Sequence, residues 1–240
     1  MTLASLRNRL AKPASLIEVG GTRQPADPTV SWFGAVHLGA AGEEWPRWQG
    51  VPMAPIAQLN VRDAPFVPTA LDDVALLTVF AANVPLNGGE ANGEGWLVRA
   101  YPALDDLVPL AMPPEAHVTL TEIGCERPLK ALPIRYSLLA ADFPDWPDVP
   151  DDVAVSAEIE DEWEAHFVAH DGLKLGGWPA LLQDRIFWAP FNEHPSNPEY
   201  VFQIAAVPQA GFELFGEGIW YFGRGTGDAR DVWAFEYQMR

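Results

Sequence analysis

The sequence predicts an α+β fold that is predominantly antiparallel β, with a few short helices. The first observation is the 23 prolines among 240 residues, which divide the chain into short elements. The second is a series of short apolar runs bounded by glycine-rich turns. The third is the alternation of apolar and polar residues in GWLVRAY (95–101) and VWAFEYQ (232–238). One face of each of these strands is expected in the core and the other partly in water.

Two stretches, residues 45–101 and 178–238, follow the same order of features. Each has a Trp-Pro start, an apolar strand with one internal glutamine, a second apolar strand, a glycine-rich loop and a third strand near a tryptophan. The internal glutamines are Gln58 and Gln203. We therefore predict a single domain over residues 1–240, built by internal duplication of a β-rich half at about 30–110 and 172–240.

Short helices are predicted at two places. At the start of the chain, Leu3, Leu6 and Leu10 share one face of a helix that Pro13 ends. A second helix is predicted from Ser156 to the Asp171–Gly172 pair, with an apolar stripe of Ile159, Trp163, His166, Phe167 and His170. The alternation of residues 153–157 leaves a strand at its beginning open as an alternative.

The acidic segment, residues 142–165, contains ten acids and no basic residue. Its first part, DFPDWPDVPDD, has three prolines. We expect an irregular, solvated linker there between the two halves. The prolines also exclude an EF-hand calcium loop, which must curl at those positions.

The balance of 15 basic against 33 acidic residues gives a net charge of −18. This charge argues against nucleic acid and against an anionic membrane as partners. It favours a basic protein partner, and solubility alone is the simpler explanation.

Cys125 is the one cysteine, so no intrachain disulfide forms, which fits a reducing cytoplasm. No apolar run approaches the length of a transmembrane helix, and the start lacks a signal-peptide stretch. The oligomeric state stays open.

No motif predicts a catalytic residue, a metal or a cofactor. His166 and His170 have the spacing of two ligands on a helix, but HFVAH lacks the glutamate of HExxH. GRGTG (223–227) lies between two strands, so it is predicted to be a hairpin turn and not a dinucleotide-binding loop. The charged residues of this hairpin are expected to pair with one another at an exposed tip: Arg224, Asp228, Arg230 and Asp231.

Six residues are candidates for binding. Gln58 and Gln203 lie inside apolar strands, where their amides must find hydrogen bonds, either to pin backbone or to bind a partner. Trp178 and Gln183 present the same two alternatives. Arg224 and Asp228 are candidates because they belong to the hairpin.

Several segments together resemble a known family. They are SWFGAVHL (31–38), EEWP (43–46), PIAQLN (55–60), KLGGWPALLQ (174–183), YVFQIAAV (200–207) and GEGIWYF (216–222). This pattern is similar to the YwqG-like family of bacterial domains of unknown function, over about residues 30–238. The resemblance implies a mainly β, α+β fold with internal duplication. It implies no established activity, cofactor or catalytic residue, and an immunity-like binding role is plausible for relatives near toxin genes.

The leading hypothesis is a cytoplasmic protein-binding or protective, immunity-like module that recognises a basic protein. The alternative is a hydrolase that uses carboxylates or the pair His166 and His170. A third reading is a scaffold with neither pocket nor partner.

Overall fold

A computed structural model describes residues 2–21, 26–86, 88–186, 188 and 194–240. Its helices are α1 (Leu3–Leu10), α2 (Ala157–Asp161) and α3 (Trp163–His166), with several single 3₁₀ turns. Its strands are β1 (Lys12–Val19), β2 (Trp32–Phe33), β3 (Leu38–Ala40), β4 (Arg47–Trp48), β5 (Val51–Pro52), β6 (Ala54–Asn60), β7 (Leu76–Ala81), β8 (Trp96–Tyr101), β9 (Leu107–Pro109), β10 (Leu132–Asp142), β11 (Lys174–Gly176), β12 (Glu199–Ala205), β13 (Ile219–Arg224) and β14 (Trp233–Gln238).

Ten strands form one antiparallel sheet in the order β14-β13-β12-β11-β1-β10-β2-β6-β7-β8. The two remaining pairs, β3 with β9 and β4 with β5, are small separate ribbons. The predicted fold class, mainly antiparallel β with a few short helices, is therefore confirmed. The sequence did not mark β1 and β10 as the centre of the sheet, because each lies outside the two similar stretches.

The sheet curls until its two ends meet. Trp96 on β8 stacks on Phe235 of β14 with ring centroids 5.2 Å apart. The backbone N–H of Gly89 also donates to the carbonyl of Phe235 at 3.3 Å. Curling encloses a single large core to which strands from both ends of the chain contribute, including Val79, Val98 and Phe202. This burial of aromatic and aliphatic surface is the main stabilising contribution.

Four strands lie on each side of the central β1–β10 pair. We call β2, β6, β7 and β8 the first flank, and β11, β12, β13 and β14 the second flank. Gln58 on β6 faces Trp32 of β2, and Gln203 on β12 faces Lys174 of β11. The matching strand order agrees with the predicted internal duplication, which stays a prediction.

The helix at the start of the chain is confirmed. Thr2 caps α1 by accepting a hydrogen bond from the N–H of Ser5 at 3.3 Å, and the helix ends at Leu10. Leu6 and Leu10 are fully buried.

The long helix predicted from Ser156 is wrong beyond His166. The structure has two short helices, α2 and α3, and Phe167 is extended. Ser156 precedes α2 without making a capping hydrogen bond through its side chain. Like charges explain the break, because a continuous helix would place Glu158 beside Glu162 and Glu160 beside Glu164.

The first part of the acidic segment, between Asp142 and Ser156, is irregular apart from one 3₁₀ turn, as predicted, but it is not a solvated linker. Its apolar side chains form a cluster with Leu6 and Leu10 of α1, and that cluster contains Phe143, Val149, Val153, Trp163 and Phe167. Trp163 and Phe167 stack with centroids 4.1 Å apart, and the Trp163 indole donates to the carbonyl of Pro144 at 3.0 Å. The segment is therefore a packed cap over α1.

None of the helices in the described ranges has the length and apolar character needed to cross a membrane.

Candidate functional site

A cleft of about 500 Å³ opens between the start of β1, the acidic segment and the loop after β11. We call it the Trp178 cleft. Its polar and aromatic lining consists of Lys12, Asp148, Trp178, Asn197, Glu199 and Tyr200. Three prolines, at positions 150, 179 and 198, complete the walls. The size falls within the range of small-ligand pockets, and prolines make the walls stiff.

A buried ion pair lies behind Gly177 and Trp178, two residues that line the cleft. Nζ of Lys174 lies 2.7 Å from Oδ2 of Asp142, and both side chains are fully enclosed. Asp142 also accepts hydrogen bonds from the backbone N–H groups of His170 at 2.9 Å and Trp178 at 2.8 Å. Burial lowers the pKa of Lys174, and the neighbouring Asp142 opposes that effect. These contacts position the chain on both sides of β11.

Gly177 makes the approach to this ion pair possible. Its φ is +73°, and a Cβ at that position would overlap Oδ2 of Asp142. Both the positive φ and the lack of space for a Cβ therefore require glycine at this position.

Trp178 follows directly and forms one side of the cleft. Its indole N–H donates to the carbonyl of Leu10 at 2.7 Å, which anchors the ring against the end of α1. Nζ of Lys12 lies 3.3 Å from the centroid of the same ring. An ammonium in this position is attracted by the electron-rich face of the indole.

The acidic segment supplies three aspartates at a spacing of three residues. Asp142 belongs to the buried ion pair, Asp145 accepts from the N–H of Leu181 at 2.7 Å, and Asp148 lines the cleft. Burial raises the pKa of Asp148 to about 6, against the opposing effect of Arg185. Asp148 can therefore donate or accept a proton near neutral pH. The signal missed in the sequence is that apolar residues recur at the same spacing (Phe143, Trp146 and Val149), which is typical of a packed turn.

Gln203 braces the site from below. Its side-chain carbonyl accepts from the N–H of Ala180 at 3.0 Å and from the hydroxyl of Tyr200 at 3.1 Å. Its amide donates to the carbonyls of Gly172 at 2.8 Å and His170 at 3.3 Å. One side chain thus ties together the segments before and after β11.

Gln58 makes the same kind of contacts on the first flank. Its carbonyl accepts from the N–H groups of His37 at 2.9 Å and Leu38 at 3.1 Å. Its amide donates to the carbonyls of Pro28 and Val30, both at 2.8 Å. Both glutamines are fully buried. In each case these hydrogen bonds satisfy the side-chain amide and hold the neighbouring backbone in place, and we call this arrangement a glutamine pin.

The other candidates lie elsewhere. Gln183 donates to the carbonyl of Met239 at 2.7 Å, near the end of the chain. Asp228 is exposed in the turn after β13. Arg224 is almost fully buried on β13 and binds Asp73 of the first flank through two hydrogen bonds, at 2.6 and 3.1 Å. Of the six predicted residues, Trp178 lines the cleft and Gln203 contacts it through the hydroxyl of Tyr200, whereas the other four are not among its lining residues.

The expected pairing within the hairpin is wrong. Arg224 pairs with Asp73, and Arg230 pairs with Asp72 at 2.6 Å, so both arginines reach the first flank. The reason is the curl of the sheet, which brings the loop before β7 beside the end of β13. These contacts join the two ends of the sheet.

The two histidines do not form the expected helical pair. His166 ends α3, whereas His170 lies outside any helix and accepts a hydrogen bond from the N–H of Gly172 at 3.1 Å. Across the described residues, no group of three or more potential metal ligands is found.

The fold and the site define a class of protein. It is a curled antiparallel β protein with a glutamine pin on each flank and with a charged, aromatic cleft on the second flank. The chain belongs to the family described as a domain of unknown function, DUF1963, which matches residues 31–223. No curated protein matches the chain. The family confirms the broader part of the resemblance, and the name YwqG-like stays a prediction. Lys12 lies outside the matched residues, whereas Asp148, Trp178 and Tyr200 lie within them.

Proposed function

We propose that this protein is a binding module for a basic protein, as an immunity-like partner would be. The observation that carries the proposal is the acidic surface, which we define as the exposed carboxylates of residues 151–164. Seven carboxylates are exposed there: Asp151, Asp152, Glu158, Glu160, Asp161, Glu162 and Glu164. Asp151 and Asp152 directly follow Pro150, which lines the Trp178 cleft.

Few basic groups neutralise this acidic surface. Arg9 pairs with Asp152 at 2.6 Å, His166 with Glu162 at 3.4 Å, and Arg185 with Asp151 at 4.0 Å. In the part of the chain that the structure describes, no ion pair holds the other four carboxylates. A surface of this kind attracts a positively charged partner and speeds its association.

The acidic surface also rests on a packed cluster and has exposed apolar side chains at its edges. The cluster beneath it fixes the backbone through Phe143, Trp163 and Phe167. Trp146 and Val168 are exposed at its edges, at 38% and 70%. Tryptophan side chains are enriched among the residues that contribute most to affinity between proteins. A preformed surface also reduces the entropic cost of binding.

The test is direct binding to folded basic proteins, including the basic products of neighbouring genes, at low and high salt. A variant with Glu158, Glu160, Glu162 and Glu164 changed to glutamine should bind about tenfold or more weakly. The matched control removes four exposed acids elsewhere: Asp105→Asn, Asp106→Asn, Glu115→Gln and Glu122→Gln. The control should change affinity much less. Equal weakening in both variants would show that only net charge matters and would contradict a site at the acidic surface.

One observation favours a second function, hydrolysis with a carboxylate as acid or base. Asp148 has its pKa raised to about 6 by burial and lies in a cleft large enough for a small substrate. Chromogenic esters, phosphate esters and glycosides, assayed with the wild type and Asp148→Asn, test it. Activity that falls by about 10²-fold or more in Asp148→Asn would support hydrolysis. Turnover absent for all three classes, or unchanged in the variant, would contradict it.

A further inference from the structure

We propose that the Trp178 cleft binds a lysine side chain of the partner, and that the chain fills this position with its own Lys12 when no partner is present. The inference rests on the proposed function, because it assigns the chemistry that a basic partner would bring to this face. Its first support is Lys12, whose Nζ lies over the Trp178 ring, 3.3 Å from the centroid.

The charges around Lys12 are those of a cation site. Burial lowers the pKa of Lys12, and Asp148, Glu199 and Asp142 oppose that effect by favouring the charged ammonium. No ion pair within 4.0 Å holds this ammonium among the described residues. The indole face and more distant carboxylates hold Lys12, so a competing ammonium has no strong contact to break.

The overall charge of the cleft favours a further cation. Asp142 and Lys174 neutralise each other at 2.7 Å. The remaining carboxylates, of Asp145, Asp148 and Glu199, outnumber the two nearby bases, Lys12 and Arg185. Burial raises the pKa of Asp148 to about 6, and an incoming ammonium beside it would favour its charged form.

The position of Lys12 allows it to leave. It is the first residue of β1 and pairs with Asp142 beside an irregularity in the register. Its side chain is exposed on the outer side. Moving this side chain into solvent therefore leaves the sheet hydrogen bonds intact. The prolines of the cleft can then cover the methylene stem of an incoming lysine.

The experiment measures binding of three short peptides that differ at one central residue: lysine, arginine or norleucine. Norleucine keeps the aliphatic stem and lacks the charge. In Lys12→Met, which removes the competing ammonium, the lysine peptide should bind about tenfold more tightly than in the wild type, since no internal ammonium competes for the indole face. The matched control, Lys130→Met, removes an exposed lysine elsewhere and should change affinity less than about twofold.

Two further variants keep the proposal falsifiable. Trp178→Leu and Asp148→Asn, each combined with Lys12→Met, should remove the gain, and circular dichroism checks that each variant folds. Unchanged affinity in Lys12→Met, equal binding of the norleucine peptide, or equal binding of the arginine peptide would each overturn the assignment. The two proposals fail separately. If the acidic-surface variant weakens basic-protein binding and the Trp178 cleft variants do not, the lysine site is rejected. If the lysine peptide binds but no basic protein does, the proposed function is rejected.

Discussion

The two flanks of the sheet hold a buried glutamine at corresponding positions and surround it with different chemistry. On the first flank the register aligns Trp32, Gln58, Thr78 and Arg99 across neighbouring strands. On the second flank the aligned residues are Lys174, Gln203, Tyr221 and Glu236. The glutamine pins backbone in both rows. The frame is thus common to the flanks, whereas the charges beside the glutamine differ.

The two aligned rows differ most in hydrogen bonding at β11 and β2, the strands next to the central β1–β10 pair. Lys174 is bound by Asp142 at 2.7 Å, which in turn holds the loop that carries Trp178. At the corresponding position, the indole nitrogen of Trp32 is buried with no hydrogen-bond partner among the described residues. An enclosed ion pair therefore holds the loop that forms the cleft on the second flank, whereas Trp32 supplies only packing at the corresponding position of the first flank.

The largest expected effect comes from breaking the ion pair. Lys174→Met should lower the free energy of unfolding by about 3–5 kcal/mol, because it leaves the carboxylate of Asp142 buried without its cation. Trp32→Phe, at the corresponding position, should cost only about 1–2 kcal/mol, since it removes volume and no hydrogen bond. Urea unfolding followed by tryptophan fluorescence measures both. Adding Asp142→Asn to Lys174→Met should recover part of the loss. A cost for Lys174→Met no larger than that of Trp32→Phe would contradict this account.

The second prediction concerns the buried glutamine that the two flanks have in common. Gln58→Leu and Gln203→Leu each remove four hydrogen bonds and leave backbone groups unpaired inside the protein, so each should cost about 3 kcal/mol. The two costs should agree within about 1 kcal/mol, given the context dependence of such terms. Gln209→Leu, at an exposed position, is the control and should cost less than about 0.5 kcal/mol. A glutamine whose loss is nearly neutral would show that its flank does not depend on the pin.

The smallest effect is a pH dependence of the free energy of unfolding, which arises at Glu236. This residue and Arg99 are the outermost residues of the two aligned rows. Burial raises the pKa of Glu236 to about 7, and the nearby Glu90 adds to the shift. Arg99, at the corresponding position, pairs with Glu43 at 3.1 Å. Because the folded protein holds this proton more tightly than the unfolded chain, stability falls as the pH rises from about 4.5 to 7.

Glu236→Gln should therefore be more stable than the wild type at pH 8 by on the order of 1 kcal/mol, and nearly equal to it at pH 4.5. Asp148 titrates in an overlapping range in both proteins, so the difference between them isolates Glu236. Arg99→Gln, the control, should lower stability at both pH values. Denaturant unfolding at pH 4.5, 6 and 8 provides the comparison. A wild-type to variant difference that is the same at all three pH values would remove Glu236 as the titrating group.

Several features were readable from local patterns. The alternation in β8 and β14, the first helix and the general fold class follow from periodicity and from proline spacing. The buried glutamines were also recognisable, because a polar side chain inside an apolar strand needs partners. The acidic segment was misread because composition reports average polarity. It does not show that Asp142, Asp145 and Asp148 turn inward while Phe143 and Trp163 pack on α1.

Local patterns in the chain are sufficient for the strands of the two similar stretches (β6, β7, β8, β12, β13 and β14), the negative charge and the positions of the two glutamines, since these depend on neighbouring residues. Only the tertiary structure decided that β1 pairs with β10 at the centre and that Arg224 binds Asp73. The same holds for Lys174 with Asp142, and for Lys12 above Trp178. The physical reason is that each of these contacts joins residues far apart in the chain. Their proximity depends on the curl and register of the whole sheet, which no local pattern encodes.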